Sequence, residues 1–117
     1  MKQFNRKTGA SGENIAANHL SQKGFIVLER NFSNKFGEID VIARDKDILV
    51  FVEVKTKIGT EFGSPEEMIS PGKLHRIRSM ATIYTEGKEV PCRIDVVAIV
   101  LDEDNSVRRL THYENVY

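Results

Sequence analysis

Two acidic residues and a lysine in the middle of the chain could do chemistry together. Asp40 lies in the run EIDVIARD, and Glu53 and Lys55 lie two apart in the run VFVEVKTK. Carboxylates on a rigid strand pair are oxygen ligands suited to a hard divalent ion, Mg²⁺ above all, with Mn²⁺ as its substitute. Such an ion polarises phosphate oxygens and makes nearby water more acidic. A lysine beside it can orient the attacking water or stabilise negative charge that develops on a phosphate. The set suits hydrolysis of a phosphodiester. The same residues also fit a second reading, a cross-strand ladder of salt bridges on a solvent-facing sheet, Glu38 with Lys55 for example, whose stabilisation is small.

The outcome turns on the hairpin that carries them. Residues 38–45 and the β-branched run 48–57 are separated only by Lys46 and Asp47, which predicts a two-residue turn. Pairing outward from Asp45 opposite Ile48 puts Asp40 opposite Glu53 and Glu38 opposite Lys55. Directly paired side chains share a face. Glu38, Asp40, Glu53 and Lys55 are then expected on one face, and Ile39, Val41, Val52 and Val54 on the other. A slip of one residue would scramble both faces, so the apolar pattern favours the register that gathers the acids.

Around the hairpin the chain predicts a helix from about Thr8 to Lys23, capped by Thr8 or Ser11, with Ala16, Ala17 and Leu20 as its apolar stripe. Glu13 falls on that stripe, either as a helix-start acid favouring the dipole or as a functional group. A strand over Phe25 to Phe32 precedes the hairpin. The glycine-rich stretch after it reads as a loop. Ser70 and Pro71 open a second helix with Leu74, Ile77, Ala81 and Tyr84 on one stripe. The run VPCRIDVVAIVL predicts a central strand, and Val107 to Leu110 a last one. Short links make the first three strands antiparallel, and the crossing helix makes the next strand parallel to the third. The expected fold is α/β, a mixed sheet flanked by helices in the order αβββαβ.

The totals narrow the function. With 117 residues the chain suits one domain, 1–117. Lys+Arg and Asp+Glu both number 17, which argues against a protein that coats nucleic acid by bulk charge. The longest apolar run, Val96 to Leu101, falls far short of the roughly 20 residues of a membrane helix, so no membrane is expected. The first residues carry no apolar stretch of a signal peptide, and Cys92 is the single cysteine, so a cytoplasmic location is expected and Cys92 itself is read as packing. His19, His75 and His112 lie far apart without ligand spacing and read as surface or packing groups. Asp95, in an apolar strand, reads as a structural hydrogen-bonding group.

Taken together, GENIAANHL, KGFIVLERNF, GEIDVIARD, LVFVEVKTK, FGSPEEMISPGKLHRI and RIDVVAIV resemble the YraN-like family of predicted bacterial endonucleases. That family lies within the PD-(D/E)xK nuclease superfamily, and the resemblance covers nearly the whole chain. It implies a restriction-endonuclease-like three-layer core and a Mg²⁺-dependent DNA endonuclease. Asp40 and Glu53 would be acidic metal ligands, Val54 a third through its backbone carbonyl, and Lys55 the catalytic lysine. Glu13 resembles the first-helix glutamate that Holliday-junction resolvases bring to the metal. The superfamily's proline is absent, since Ile39 precedes Asp40. Lys73 and Arg76, at the start of the second helix, are candidates to contact nucleic acid, with Arg78 close by; a solvated helix surface is the alternative. Junction-cutting relatives act as dimers, so a homodimer is among the expectations. The rival function is a module of nuclease fold that binds branched or single-stranded DNA without cutting it.

Overall fold

The computed structural model describes residues 6–61 and 63–117, with side chains from residue 11 onward. Along it run α1 (Arg6–Gln22), β1 (Ile26–Asn34), β2 (Gly37–Asp45), β3 (Ile48–Ile58), a short 3-10 turn (Pro65–Met68), α2 (Pro71–Tyr84), β4 (Cys92–Leu101) and β5 (Val107–Tyr113). The five strands lie side by side in chain order. All neighbours are antiparallel except β3 and β4, which are parallel because α2 crosses between them. This is the mixed α/β sheet and the αβββαβ order read from the sequence, with β5 added, and it is consistent with a restriction-endonuclease-like core.

The helices lie on opposite faces. Ala16 and Leu20 of α1 pack on Val41, Ala43, Val50, Val52, Val97 and Ile99. Ile77, Met80 and Ala81 of α2 pack on Ile39, Ile42, Phe51 and Ile94. β4 is covered on both sides, which is why Ile94 to Leu101 holds no exposed residue. Ser70 caps α2 as expected: its hydroxyl accepts from the Lys73 amide at 3.1 Å, with Pro71 at the first helical position.

Some local expectations are corrected. α1 already runs from Arg6, so Thr8 and Ser11 stand inside it rather than at its cap; the Thr8 side chain lies outside the described residues. Cys92 is exposed, not packed. The loop after β3 contains the Pro65–Met68 turn, which Arg109 pins by a two-pronged contact to Glu66 (2.7 and 3.0 Å).

The hairpin register is the one expected, from Asp45–Ile48 to Val41–Val52, and there the rungs of β2 and β3 stop. β2 goes on pairing with β1 as far as Gly37–Asn34, while β3 stays with β4. The rungs Asp40–Glu53 and Glu38–Lys55 are therefore replaced by a fork. The strict alternation of β2 also breaks at this point. Ile39 packs on the α2 side with Ile42, whereas Val41, Val52 and Val54 face α1. The break lies at Asp40, across from Asn31 of β1, whose φ of 54° is left-handed.

Candidate active site

The fork between β2 and β3 opens a cavity of about 320 Å³, lined among others by Glu13, Glu38, Asp40, Glu53, Val54, Lys55, Lys73 and Arg76. Apart from Arg78, every site residue singled out in the sequence lines this one cavity. Each arrives for its own structural reason.

Asp40 stands one residue beyond the last rung. Its Oδ2 accepts from the Val54 amide at 2.8 Å, so a side chain satisfies a backbone donor past the end of the ladder. Only 7% of Asp40 and 3% of Glu53 are exposed. Burial, then the neighbouring Glu53, pushes the Asp40 carboxyl up to about 8, against the pull of the Val54 amide. Glu53 Oε2 is buried without a directed hydrogen bond, although the Lys73 ammonium lies 2.6 Å away as an ion pair.

Glu13 comes from α1, and Gly12 explains how. A Cβ at residue 12 would overlap the Thr56 side chain, so only glycine lets the helix come this close to β3. Burial raises the Glu13 carboxyl above its ordinary value; Arg30 and Asn31 oppose this, while Glu38 and Glu53 add to it. Glu13 therefore belongs with the acids and is not merely a helix-start charge.

Lys55 sits half-buried on β3. Burial and then Lys73 lower its ammonium below the ordinary lysine value, with Glu53 and Asp40 opposing. For Lys73 the balance is reversed: burial lowers it, but Glu53 and Lys55 outweigh that and raise it. The salt-bridge partner of Glu53 is thus a helix lysine rather than a cross-strand one. Arg76 lines the cavity, but Arg78 points elsewhere, its guanidinium 5.5 Å from the Tyr117 ring. Ile77, which the expected α2 stripe included, and Met80, which it did not, close the apolar wall.

Asp40, Glu53 and Val54 fit a hard divalent ion in donor type and charge. The acids crowd one another, and Glu53 Oε2 has the Lys73 ammonium as its ion-pair partner. Among the described residues no group of three His, Cys, Asp or Glu side chains could hold a metal by themselves, so a backbone oxygen or waters would have to complete the shell.

Comparison with known proteins decides the family. The model of the "Uncharacterised protein family UPF0102" matches residues 12–99, from Gly12 into β4. The chain belongs to the UPF0102 family. A UPF0102 protein of Dictyoglomus turgidum is 42% identical over 97% of this chain and 98% of its own. Another, from Pelotomaculum thermopropionicum, is 40% identical over 93% of each. A UPF0102 protein of Corynebacterium efficiens is 42% identical over 99% and 96%. The UPF0102 match spans the whole fork: Gly12, Glu13, both β2 and β3, and the start of α2.

The histidines carry something that spacing did not signal. His19 and His112 are 93 positions apart by number, yet their rings lie 5.7 Å from each other. His112 Nε2 sits 2.8 Å from the buried Asp95, and Arg93 and the Asn115 amide complete that carboxylate's partners. Asp95 is thus the structural group its apolar surroundings suggested. No helix of the described chain is long and apolar enough to cross a membrane.

Proposed function

We propose that this UPF0102 protein is a divalent-metal-dependent endonuclease that hydrolyses DNA phosphodiester bonds, in keeping with its resemblance to YraN-like predicted nucleases. The observation that carries the reading is the convergence of Asp40, Glu53 and Lys55 in one cavity, with two buried carboxylates crowded together. Crowding of that kind calls for a cation. Asp40, Glu53 and the Val54 carbonyl would hold Mg²⁺ or Mn²⁺, with Glu13 supporting an outer water or a second ion. When bound, the ion would neutralise charge on a phosphate oxygen and acidify nearby water.

The chain's own groups supply the rest. Lys55 orients the attacking water and donates a hydrogen bond to the phosphate as negative charge grows. Lys73 and Arg76 hold neighbouring phosphates at the cavity mouth. Ile77 and Met80 keep one wall dry, which strengthens these contacts.

A second reading has one observation in its favour. The Lys73–Glu53 ion pair already neutralises one acid without a metal, as a nucleic-acid-binding module that does not cut would allow. Cleavage assays with Mn²⁺ on duplex, flap, single-stranded and four-way-junction DNA decide between the two. Wild type is expected to cut at least one of these, and Lys55→Ala and Asp40→Asn to lose at least about 100-fold in rate while staying folded. Variants that cut as fast as wild type sink the assignment. Binding that survives EDTA without any product favours the module.

A further inference from the structure

The turn between β1 and β2 is built by its flanks rather than its centre. Two-residue hairpin turns are usually made by Asn-Gly or Asp-Gly, which tolerate positive φ at the central positions. Here the central residues are Lys35 and Phe36, and neither has positive φ. Asn34 holds the turn instead: its Oδ1 accepts from the Phe36 amide at 2.8 Å. Gly37 then takes up the unusual φ of +147°. Nothing in this turn requires an aromatic, yet the Phe36 ring is 55% exposed. The Lys35 ammonium lies 5.3 Å from the centre of that ring.

The position of this pair gives it meaning. Gly37, the next residue, and Glu38 after it are part of the candidate cavity wall. The deeply buried acids Asp40 and Glu53 and the exposed Arg76 of α2 line the same cavity, and Lys35 is exposed on the adjoining turn. A polyanion that places one phosphate at the cavity has an exposed ring and an ammonium on the turn that directly precedes the cavity-lining Gly37. Nucleobases have flat faces that stack on such rings whatever their sequence.

We propose that Phe36, flanked by Lys35, is a stacking platform for an unpaired nucleobase, which makes a strand with splayed bases the preferred substrate class of this site. The inference rests on the nucleic-acid reading above but not on cleavage. In a blunt duplex the bases stack on each other and offer the ring no face. In a single strand, a flap or a junction branch they do.

The test is binding in EDTA, measured by fluorescence anisotropy with a labelled oligothymidylate and a blunt duplex of equal length. Phe36→Ala is expected to weaken single-strand binding by about tenfold or more and duplex binding by less than about twofold. Phe36→Trp is expected to keep the single-strand affinity. Because the chain has no tryptophan, the new indole is a unique reporter whose emission should be quenched by the single strand and not by the duplex. Circular dichroism checks that both variants fold, as a solvent-facing turn residue allows. Unchanged single-strand affinity in Phe36→Ala, equal losses on both DNAs, or an unquenched indole overturns the platform. If Phe36→Ala changes nothing while wild type binds and cuts, the platform alone falls. If wild type binds neither DNA, the nucleic-acid reading falls and the platform with it.

Discussion

Glu53 is a buried carboxylate that pairs with Lys73 at 2.6 Å; on the proposed reading a divalent ion would take that place and leave the ammonium for a phosphate. Lys73→Ala separates these roles. Removing one partner of a buried pair strands the other, at a cost of about 1–3 kcal/mol once the partial exposure of Lys73 is allowed for. The variant should therefore melt lower than wild type in EDTA, and added Mg²⁺ should restore more of its thermal midpoint than it does for wild type. Calorimetry should show tighter Mg²⁺ binding and anisotropy weaker DNA binding. Equal Mg²⁺ affinity in the two proteins would mean that Lys73 and the ion do not share Glu53. At this scale the sequence was legible in part: turn length and the apolar pattern bring Asp40, Glu53 and Lys55 close together, although the expected rungs Asp40–Glu53 and Glu38–Lys55 do not form. It was silent on the Lys73–Glu53 contact and on the meeting of His19 with His112, because no local rule fixes the distance between residues on separate elements.

Strands and helices show why the site is a cavity rather than a ladder. The register between β2 and β3 was readable from the apolar pattern, but the fork was not. It depends on β2 following β1 past Val41 and on Asn31 taking a left-handed φ, and neither has a distinctive pattern in the sequence. The reach of Glu13 was implied by the family resemblance but not by any local pattern, since it depends on contact between Gly12 and Thr56 across layers. Gly12→Ala tests that contact. In a free helix alanine would gain about 1 kcal/mol over glycine. Here the added methyl collides with the Thr56 side chain, and overpacking costs about 1–3 kcal/mol. The net expectation is a lower thermal midpoint, partly recovered in the Gly12→Ala, Thr56→Ala double variant, where the Thr56 hydroxyl that lies nearest the added methyl is gone. A Gly12→Ala protein more stable than wild type would show that α1 does not need this close approach.

For the molecule as a whole, a net charge of zero conceals two polar centres that bind its layers together. One is the fork. The other lies around Asp95 of β4, fully buried and bonded to Arg93 of the same strand, His112 of β5 and the Asn115 amide of the tail, with Lys23 at the end of α1 reaching His112 at 2.9 Å. Composition gave no hint of this knot; Asp95 was visible only as an acid in an apolar strand. Burial by itself would raise the Asp95 carboxyl, but His112, Arg93 and the Asn115 amide outweigh it and hold the group below its ordinary value of 3.8. The unfolded chain then binds the proton more readily than the folded one. The stabilisation is complete above the ordinary value and is lost as the pH falls through the lower, folded one. Asp95→Asn removes the charge but keeps the shape, leaving Arg93 and His112 without their shared anion, so it should cost about 2–4 kcal/mol at pH 7. Measured against pH, the wild-type midpoint should fall more steeply below about pH 4 than that of the variant, and the two curves should approach each other in acid. Parallel curves down to pH 2 would mean that Asp95 carries no stabilising charge, and that packing alone joins α1, β4 and β5.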